Sequence, residues 1–167
     1  RIGAIPDVKP PSFLRSATLE TLLPYRAIYL IDVDEIGENV ADSLDRYVSR
    51  GGGLAWFLGE NVRADSYNKS LLARDRRLLP MPLGEQQNVP QPDSLSSADA
   101  SSADVLFGED AELLAPLQVA GDAALSMIGL SRSWTLEKPS LDSKDDAKRP
   151  RVLTVLKRRD GKPLVTK

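Results

Sequence analysis

The sequence predicts an α/β domain built on an open, doubly wound and mainly parallel sheet, with a β-hairpin at its carboxyl end. Two short apolar segments, 27–31 and 54–58, are joined by an amphipathic segment at 38–50. A strand, helix and strand in this order require a crossover connection between two parallel strands. Near the end of the chain, Asp160-Gly161 separates two strand-like runs, which predicts a hairpin with a two-residue turn in which both residues have positive φ.

The two strands and the helix between them follow from the order of apolar and polar residues. Residues 27–31 are almost continuously apolar up to Asp32, as in a strand buried on both faces of a parallel sheet. Residues 38–50 place apolar side chains at helical spacing, with acidic residues early and basic residues late, as the helix dipole prefers. The glycines at 51–53 allow the positive φ of a helix C-cap, and a second buried strand follows at 54–58.

Weaker patterns lie on either side of this unit. A short helical segment at 16–23 is ended by Pro24, and a second short helix is predicted at 64–72. The apolar segment 78–84 is interrupted by prolines, which indicates irregular coil. Further along the chain we predict a helix at 109–117, a strand at 133–137, and hairpin strands at 151–157 and 162–166.

Two long segments are predicted to be mobile loops. Residues 85–104 are rich in Gln, Pro, Ser, Ala and Asp, and residues 138–150 are charged and weakly hydrophobic, so neither adds much to a core. A chain of 167 residues has the size of one ordinary domain. We therefore predict a single α/β domain over 1–167. Because it starts without Met and ends in a strand-like run, we expect it to be a fragment of a longer protein.

The composition excludes several kinds of chemistry. The chain contains neither Cys nor His. A Cys nucleophile, a Ser-His dyad, a Cys- or His-ligated zinc or haem and a redox disulfide are therefore excluded. The formal net charge of −2 gives no general attraction for polyanions, which argues against nucleic-acid binding. No stretch reaches the roughly 18 to 20 apolar residues that cross a bilayer. We predict a soluble segment with no cofactor and no metal site.

Six residues that follow the two predicted strands form the predicted ligand-binding edge. The carboxyl ends of parallel strands meet at one edge of an open sheet, where ligands bind in such folds. Carboxylates at this edge could hold Mg²⁺ or act as a general base. Alternatively, they are solvated turn residues that cap the following helix. Arg63 and Asn68 are expected to line the same crevice. The six residues are Asp32, Asp34, Glu35, Gly59, Glu60 and Asn61.

The remaining basic and aromatic residues are assigned structural roles. Two short basic clusters, at 74–77 and 157–159, lack interleaved aromatic residues and contain or adjoin acidic ones. We predict that they keep loops soluble rather than bind nucleic acid. Trp56, Trp134 and Phe57 are predicted to be core residues rather than a stacking platform, since Trp56 and Phe57 lie within an apolar strand.

The order of strand, helix, glycines and strand carries a family resemblance. Ile-Tyr-Leu-Ile-Asp-Val at 28–33, the helix end at 44–50 and Gly-Gly-Gly-Leu-Ala-Trp-Phe-Leu-Gly at 51–59 resemble the class I glutamine amidotransferase-like superfamily, whose fold is flavodoxin-like. The proline-rich continuation at 78–84 and Asp-Gly-Lys-Pro-Leu-Val at 160–165 are similar to the amidotransferase-like domain of large bacterial membrane proteins. Those proteins pair this domain with a von Willebrand factor A-type domain and transmembrane helices.

The resemblance implies a non-catalytic module. Glutamine-hydrolysing members of the superfamily use a Cys nucleophile activated by His and Glu, and this chain has neither Cys nor His, so no catalytic residue carries over. The resemblance also implies a soluble domain of a membrane-anchored protein. Its partners would be other domains of the same polypeptide and membrane-associated proteins. We therefore predict that the carboxyl edge of the sheet binds a protein partner or a small ligand, without enzymatic activity.

Two other functions remain open. One is a metal-dependent hydrolase that uses Asp32, Asp34 and Glu35, for which a metal-induced rise in melting temperature is the test. The other is a sugar-related binding domain, because the trehalose-utilisation-like families share a similar strand, Gly-Gly-Gly, strand pattern. A sugar titration followed by Trp fluorescence tests this second alternative.

Overall fold

The structure is a computed structural model. It describes residues 5–73, 76, 78–89, 104–119, 125, 128–137 and 152–167. The chain divides into two units, Arg1–Leu79 and Pro80–Lys167. The first unit contains, in chain order, α1 (Pro11–Arg15), α2 (Leu19–Leu22), β1 (Ala27–Ile31), α3 (Glu38–Ser49), β2 (Gly53–Phe57) and α4 (Ala64–Leu71). The second contains β3 (Leu83–Asn88), β4 (Val105–Phe107), a 3₁₀ helix (Ala111–Leu114), α5 (Ala115–Val119), β5 (Arg132–Leu136), β6 (Thr154–Arg158) and β7 (Pro163–Thr166).

The predicted strand, helix and strand unit is confirmed. β1 and β2 pair in parallel, with Ala27 opposite Gly53 and Ile31 opposite Phe57. Helix α3 lies between them in the chain and returns it from the carboxyl end of β1 to the amino end of β2. Gly51, just after α3, has φ 91°, which is the left-handed conformation expected of a glycine that ends a helix.

Helix α3 supplies much of the core of the first unit. Its buried side chains are Val40, Ala41, Leu44 and Tyr47. The hydroxyl of Tyr47 donates a hydrogen bond to the Tyr25 carbonyl at 3.0 Å, so this large side chain is buried with its polar atom satisfied.

The prediction that β1 and β2 are buried on both faces is wrong. On the helix side of the sheet, Trp56 packs edge-on against Tyr67 of α4, with ring centroids 5.5 Å apart. On the other face, Tyr29, Ile31 and Phe57 are 63%, 70% and 53% exposed. Phe57 is therefore not a core residue. An apolar run indicates a strand, but what covers each face depends on tertiary packing.

The described sheets are small, and their topology is only partly the predicted one. The parallel sheet has two described strands, β1 and β2. The second unit has a two-stranded sheet, β3-β5, and a three-stranded sheet, β4-β6-β7, and both are antiparallel. The chain is thus a mixture of helices and strands, broadly α/β. No described helix is long and apolar enough to cross a bilayer.

The carboxyl-terminal hairpin is confirmed, but its turn differs from the predicted two-residue turn. The Arg158 N–H donates to the Lys162 carbonyl at 2.8 Å, and the Gly161 N–H donates to the Arg158 carbonyl at 2.9 Å. The loop therefore has three residues, of which Gly161 has positive φ, at 84°. This hydrogen bonding fits a turn followed by a glycine bulge, which needs one left-handed residue rather than two.

Strand β3 overlaps a segment predicted to be a mobile loop. Gln86 pairs with Trp134 and Asn88 with Arg132 of β5. The β3 sequence, Leu-Gly-Glu-Gln-Gln-Asn, contains no β-branched residue, so its pairing with β5 rather than its own propensity makes it a strand. The rest of that predicted loop, from 90 to 103, and the whole predicted loop 138–150 lie outside the described residues.

Arg76 does not belong to a solvated basic cluster. Its side chain is 3% exposed and forms ion pairs with Asp42 and Glu38 of α3. The guanidinium also donates to the carbonyl of Ser70 on α4. Arg76 therefore links α3 to α4, a role that its position in an Arg-rich segment did not indicate.

Candidate functional site

The candidate site lies at the carboxyl ends of β1 and β2. The Asp32 N–H donates to the Phe57 carbonyl at 2.8 Å, which extends the strand pairing by one bond. Asp32 then takes a positive φ of 49°, and it is the one non-glycine residue with positive φ in the described part of the chain. This conformation disfavours most side chains, although Asp and Asn tolerate it better than others. The chain therefore turns sharply at the end of β1.

Asn61 holds the Asp32 carboxylate in place. One carboxylate oxygen accepts the backbone N–H of Asn61 at 2.9 Å, and the other accepts its side-chain amide at 2.7 Å. Hydrogen bonds to a charged acceptor are stronger than those between neutral groups. The pair therefore joins the loop after β2 to the end of β1.

Gly59 provides the space that the Asp32 side chain occupies. A Cβ atom at position 59 would overlap the Asp32 side chain. Gly59 is thus required by close packing rather than by its backbone conformation. The sequence placed Asp32, Gly59 and Asn61 at one edge, and the structure brings these three together.

Asp34 and Glu35 lie beside arginines. The Glu35 carboxylate lies 3.3 Å from Arg63, and the Asp34 carboxylate lies 4.0 Å from Arg15. The Asp34 carbonyl also accepts the Arg63 N–H at 3.0 Å. All four side chains are at least 46% exposed, so these ion pairs contribute little to stability and leave the charges accessible to a partner.

Tyr67 lies beneath the edge, and its sequence pattern indicated only an apolar helix face. Its hydroxyl donates to the Val33 carbonyl at 2.7 Å. Burial, together with the nearby negative charges of Asp34 and Asp32, raises the pKa of Tyr67. The hydroxyl is therefore protonated at neutral pH and acts as a fixed donor that supports the backbone between Asp32 and Asp34.

A small hollow lies next to these residues. Its lining includes Leu14, Arg15, Asp34, Glu35 and Ile36, and its volume is about 20 Å³. Pockets for small organic ligands measure roughly 300 to 1,000 Å³, whereas one water needs about 10 to 15 Å³. The hollow therefore has room for a water molecule and none for an organic ligand.

The remaining predicted site residues lie near this edge in the chain. Glu60 is exposed in the loop that follows β2, and Asn68 lies within α4. Gly37, which has no side chain, is the N-cap of α3, so neither Asp32 nor Asp34 caps that helix. No three acidic side chains converge as a metal site within the described ranges.

No family model, curated protein or solved structure matches this chain. The amidotransferase-like assignment therefore stays a prediction from the quoted residues.

Proposed function

We propose that the first unit is a non-catalytic module that binds a protein partner at the edge formed by Asp32, Asp34, Glu35, Gly59, Glu60 and Asn61. The observation that carries the proposal is the Asp32 turn. A non-glycine residue with positive φ is fixed there by two hydrogen bonds from Asn61 and by close packing on Gly59. Unfavourable backbone conformations that neighbouring residues maintain are concentrated at functional sites.

The size of the hollow favours a protein over a small ligand. A volume of about 20 Å³ cannot enclose an organic molecule, a sugar included. The neighbouring carboxylates are instead spread over an open surface, as at the polar rim of a protein interface. A partner segment with Lys, Arg or amide donors is complementary to this surface.

The contacts of the carboxylates support a binding role rather than hydrolysis. Both oxygens of Asp32 accept hydrogen bonds from Asn61, and Glu35 forms an ion pair with Arg63. A general base or metal ligand needs an oxygen directed at water or at the ion. Each Asp32 oxygen already uses one of its lone pairs to accept a hydrogen bond from Asn61, which fixes the orientation of the carboxylate.

The wider setting of the module is also part of the proposal. The strand, helix and strand unit is taken as part of a doubly wound, amidotransferase-like sheet in a membrane-anchored bacterial protein with a von Willebrand factor A-type domain. The parallel pairing of β1 with β2 and the Gly51 cap support the strand, helix and strand part of this proposal. The membrane-anchored setting rests on the residues that carry the resemblance.

Site-specific photo-crosslinking tests the binding edge. A photoreactive phenylalanine analogue replaces Glu60 in the full-length protein in its own cells, and a matched control carries it at Lys69, an exposed position on α4. We expect a discrete crosslinked protein from position 60 and none from position 69. The proposal fails if position 60 gives no discrete product, or if both positions give the same one.

Two further measurements test the absence of catalysis and the membrane-anchored setting. Glutamine hydrolysis by the purified protein would contradict the absence of catalysis. Fractionation of the full-length protein tests the membrane setting: release by detergent but not by high salt is expected. A species of about this chain's size that stays soluble would contradict the setting.

A further inference from the structure

The side of the β1–β2 sheet opposite the helices forms an exposed apolar strip, here called the outer face. The rings of Tyr29 and Phe57 lie 6.1 Å apart, and Ile31 is opposite Phe57 in the strand pairing. The three large exposed side chains are therefore contiguous, and no member of the strip is charged. By strand alternation, the outer face comprises Ala27, Tyr29, Ile31, Gly53, Ala55 and Phe57.

This exposure is unusual for parallel strands. Parallel strands normally have both faces covered, usually by helices. Single exposed apolar residues are ordinary on protein surfaces, whereas a contiguous apolar patch marks a surface that binds another molecule. The outer face is such a patch, and it is distinct from the polar edge described above.

The size of the strip matches one helix. A strand of five residues is about 17 Å long, which equals about 11 residues of α-helix, or three turns. Two strands about 5 Å apart fit beneath one helix about 10 Å wide. A stable dimer of globular chains needs about 800 Å² from each partner. The six residues of the strip, two of them alanines and one a glycine, offer roughly a few hundred Å².

Charges at the two ends of the strip indicate how a helix would be oriented. Arg26 is exposed just before β1, whereas Asp32 and Glu60 follow the carboxyl ends of the strands. The N-terminus of a helix carries partial positive charge and its C-terminus partial negative charge. A helix that runs antiparallel to the strands would place its N-terminus near Asp32 and Glu60 and its C-terminus near Arg26. Helix α3 runs in this direction on the opposite face.

We propose that the outer face binds an amphipathic helix of a partner protein, antiparallel to β1 and β2. The helix presents apolar residues at i, i+3, i+4 and i+7 to Tyr29, Ile31 and Phe57. The first turn of this helix carries no Asp or Glu, so Asp32 and Glu60 do not repel it. The apolar contacts of this interaction lie on the sheet face, so they do not require a partner at the polar edge; only the direction of the helix involves Asp32 and Glu60.

Selection from a displayed library of peptides about 14 residues long tests the proposal, with the full chain as the target. We expect the enriched peptides to share the apolar spacing of an amphipathic helix. Ile31→Lys should weaken their binding at least about tenfold, as for a residue at the centre of an interface. The matched control is Ile5→Lys, which introduces the same charge at an isoleucine that is 93% exposed elsewhere in this unit; it should leave binding unchanged.

Three results would overturn the proposal: no enrichment, enriched peptides with the alternating pattern of a strand, or equal binding to the wild type and to Ile31→Lys. A wild-type dimer that Ile31→Lys dissociates would also overturn it, because the occupant would then be a second copy. Far-UV circular dichroism verifies folding of each variant. Phe57→Ser, tested in the same way, replaces Ile31→Lys if that variant is unfolded.

Discussion

Gly59 and Asp32 pack against each other at adjoining ends of β2 and β1, with the carboxyl group of Asp32 in the space where a Cβ of residue 59 would lie. The same carboxyl group accepts two hydrogen bonds from Asn61. Any side chain at position 59 must therefore displace Asp32 and disturb both bonds. The geometry of the proposed binding edge depends on this pair.

Replacing Gly59 should destabilise the first unit. We expect Gly59→Ala to lower the free energy of unfolding by about 1 to 3 kcal/mol, because the extra methyl group forces Asp32 out of its place. Urea unfolding measures the change. Gly129→Ala is the control, since no atom lies within 4 Å of a Cβ at that position, and its effect should stay within about 0.5 kcal/mol. Equal losses of stability in the two variants would contradict the close packing of Asp32 against Gly59.

Tyr67 should make stability fall at high pH. Its pKa is raised by burial and by Asp34 and Asp32, so the folded state keeps a proton that the unfolded state loses above about pH 10. The stabilisation is complete below pH 10 and declines above it, by up to about 1.4 kcal/mol per pH unit. Tyr67→Phe loses the bond to Val33 and costs about 1 kcal/mol at neutral pH.

Urea unfolding of both proteins at several pH values from 8 to 11 measures this contribution. The stability advantage of the wild type over Tyr67→Phe should shrink above pH 10, because the phenylalanine variant has no proton to lose at this position. The other tyrosines are present in both proteins and cancel in the difference. A constant difference across the range would show that the Tyr67 pKa is not raised by folding.

Removal of Arg76 and removal of its acidic partners, Asp42 and Glu38, should destabilise the protein by different amounts. Arg76 Nε lies 3.0 Å from Asp42, and a terminal nitrogen lies 2.9 Å from Glu38. Burial of Arg76 opposes its charge, but the hydrogen bonds to Asp42 and Glu38 outweigh that effect and its pKa is raised. The guanidinium is buried, whereas both carboxylates remain more than 40% exposed. Only removal of the two carboxylates leaves a buried charge, the Arg76 guanidinium, without its ionic partners.

We therefore expect the double variant Asp42→Ala/Glu38→Ala to lose about 3 to 5 kcal/mol, as when one side of a buried ion pair is removed. Arg76→Leu should lose less, about 1 to 2 kcal/mol, because water can solvate the two carboxylates that remain. Chemical denaturation of the two variants gives the order. A larger loss of stability in Arg76→Leu than in the double variant would contradict the explanation that the buried guanidinium depends more on the carboxylates than they depend on it.

Ser133 should be important in the second unit because Arg158 is incompletely hydrogen-bonded. Its buried Nε has no hydrogen-bond partner within the described residues, while a terminal nitrogen donates to the Ser133 hydroxyl at 2.7 Å. Ser133→Ala removes this acceptor as well, and we expect a loss of about 1 to 3 kcal/mol. Ser131→Ala, at an exposed serine of the same segment, is the control and should change stability by less than about 0.5 kcal/mol. Similar unfolding midpoints for both variants would contradict the expectation.

Local elements could be predicted where neighbouring residues in the chain carry the information. The apolar run of β1, the amphipathic pattern of α3 and the glycine after it depend on side-chain spacing and backbone freedom, and the structure has all three. Strand β3 could not be found in this way, because its polar sequence becomes a strand only by pairing with β5, about 50 residues away.

By itself the sequence determined that β1 and β2 are parallel and that Asp32, Gly59 and Asn61 share one edge, because a strand, helix and strand unit allows little else. It also excluded chemistry based on Cys or His. Only the tertiary structure decided that Asn61 occupies both oxygens of Asp32, that Arg76 is buried and that Tyr29, Ile31 and Phe57 are exposed. These properties depend on contacts between residues distant in the chain, which hydrophobic periodicity does not encode.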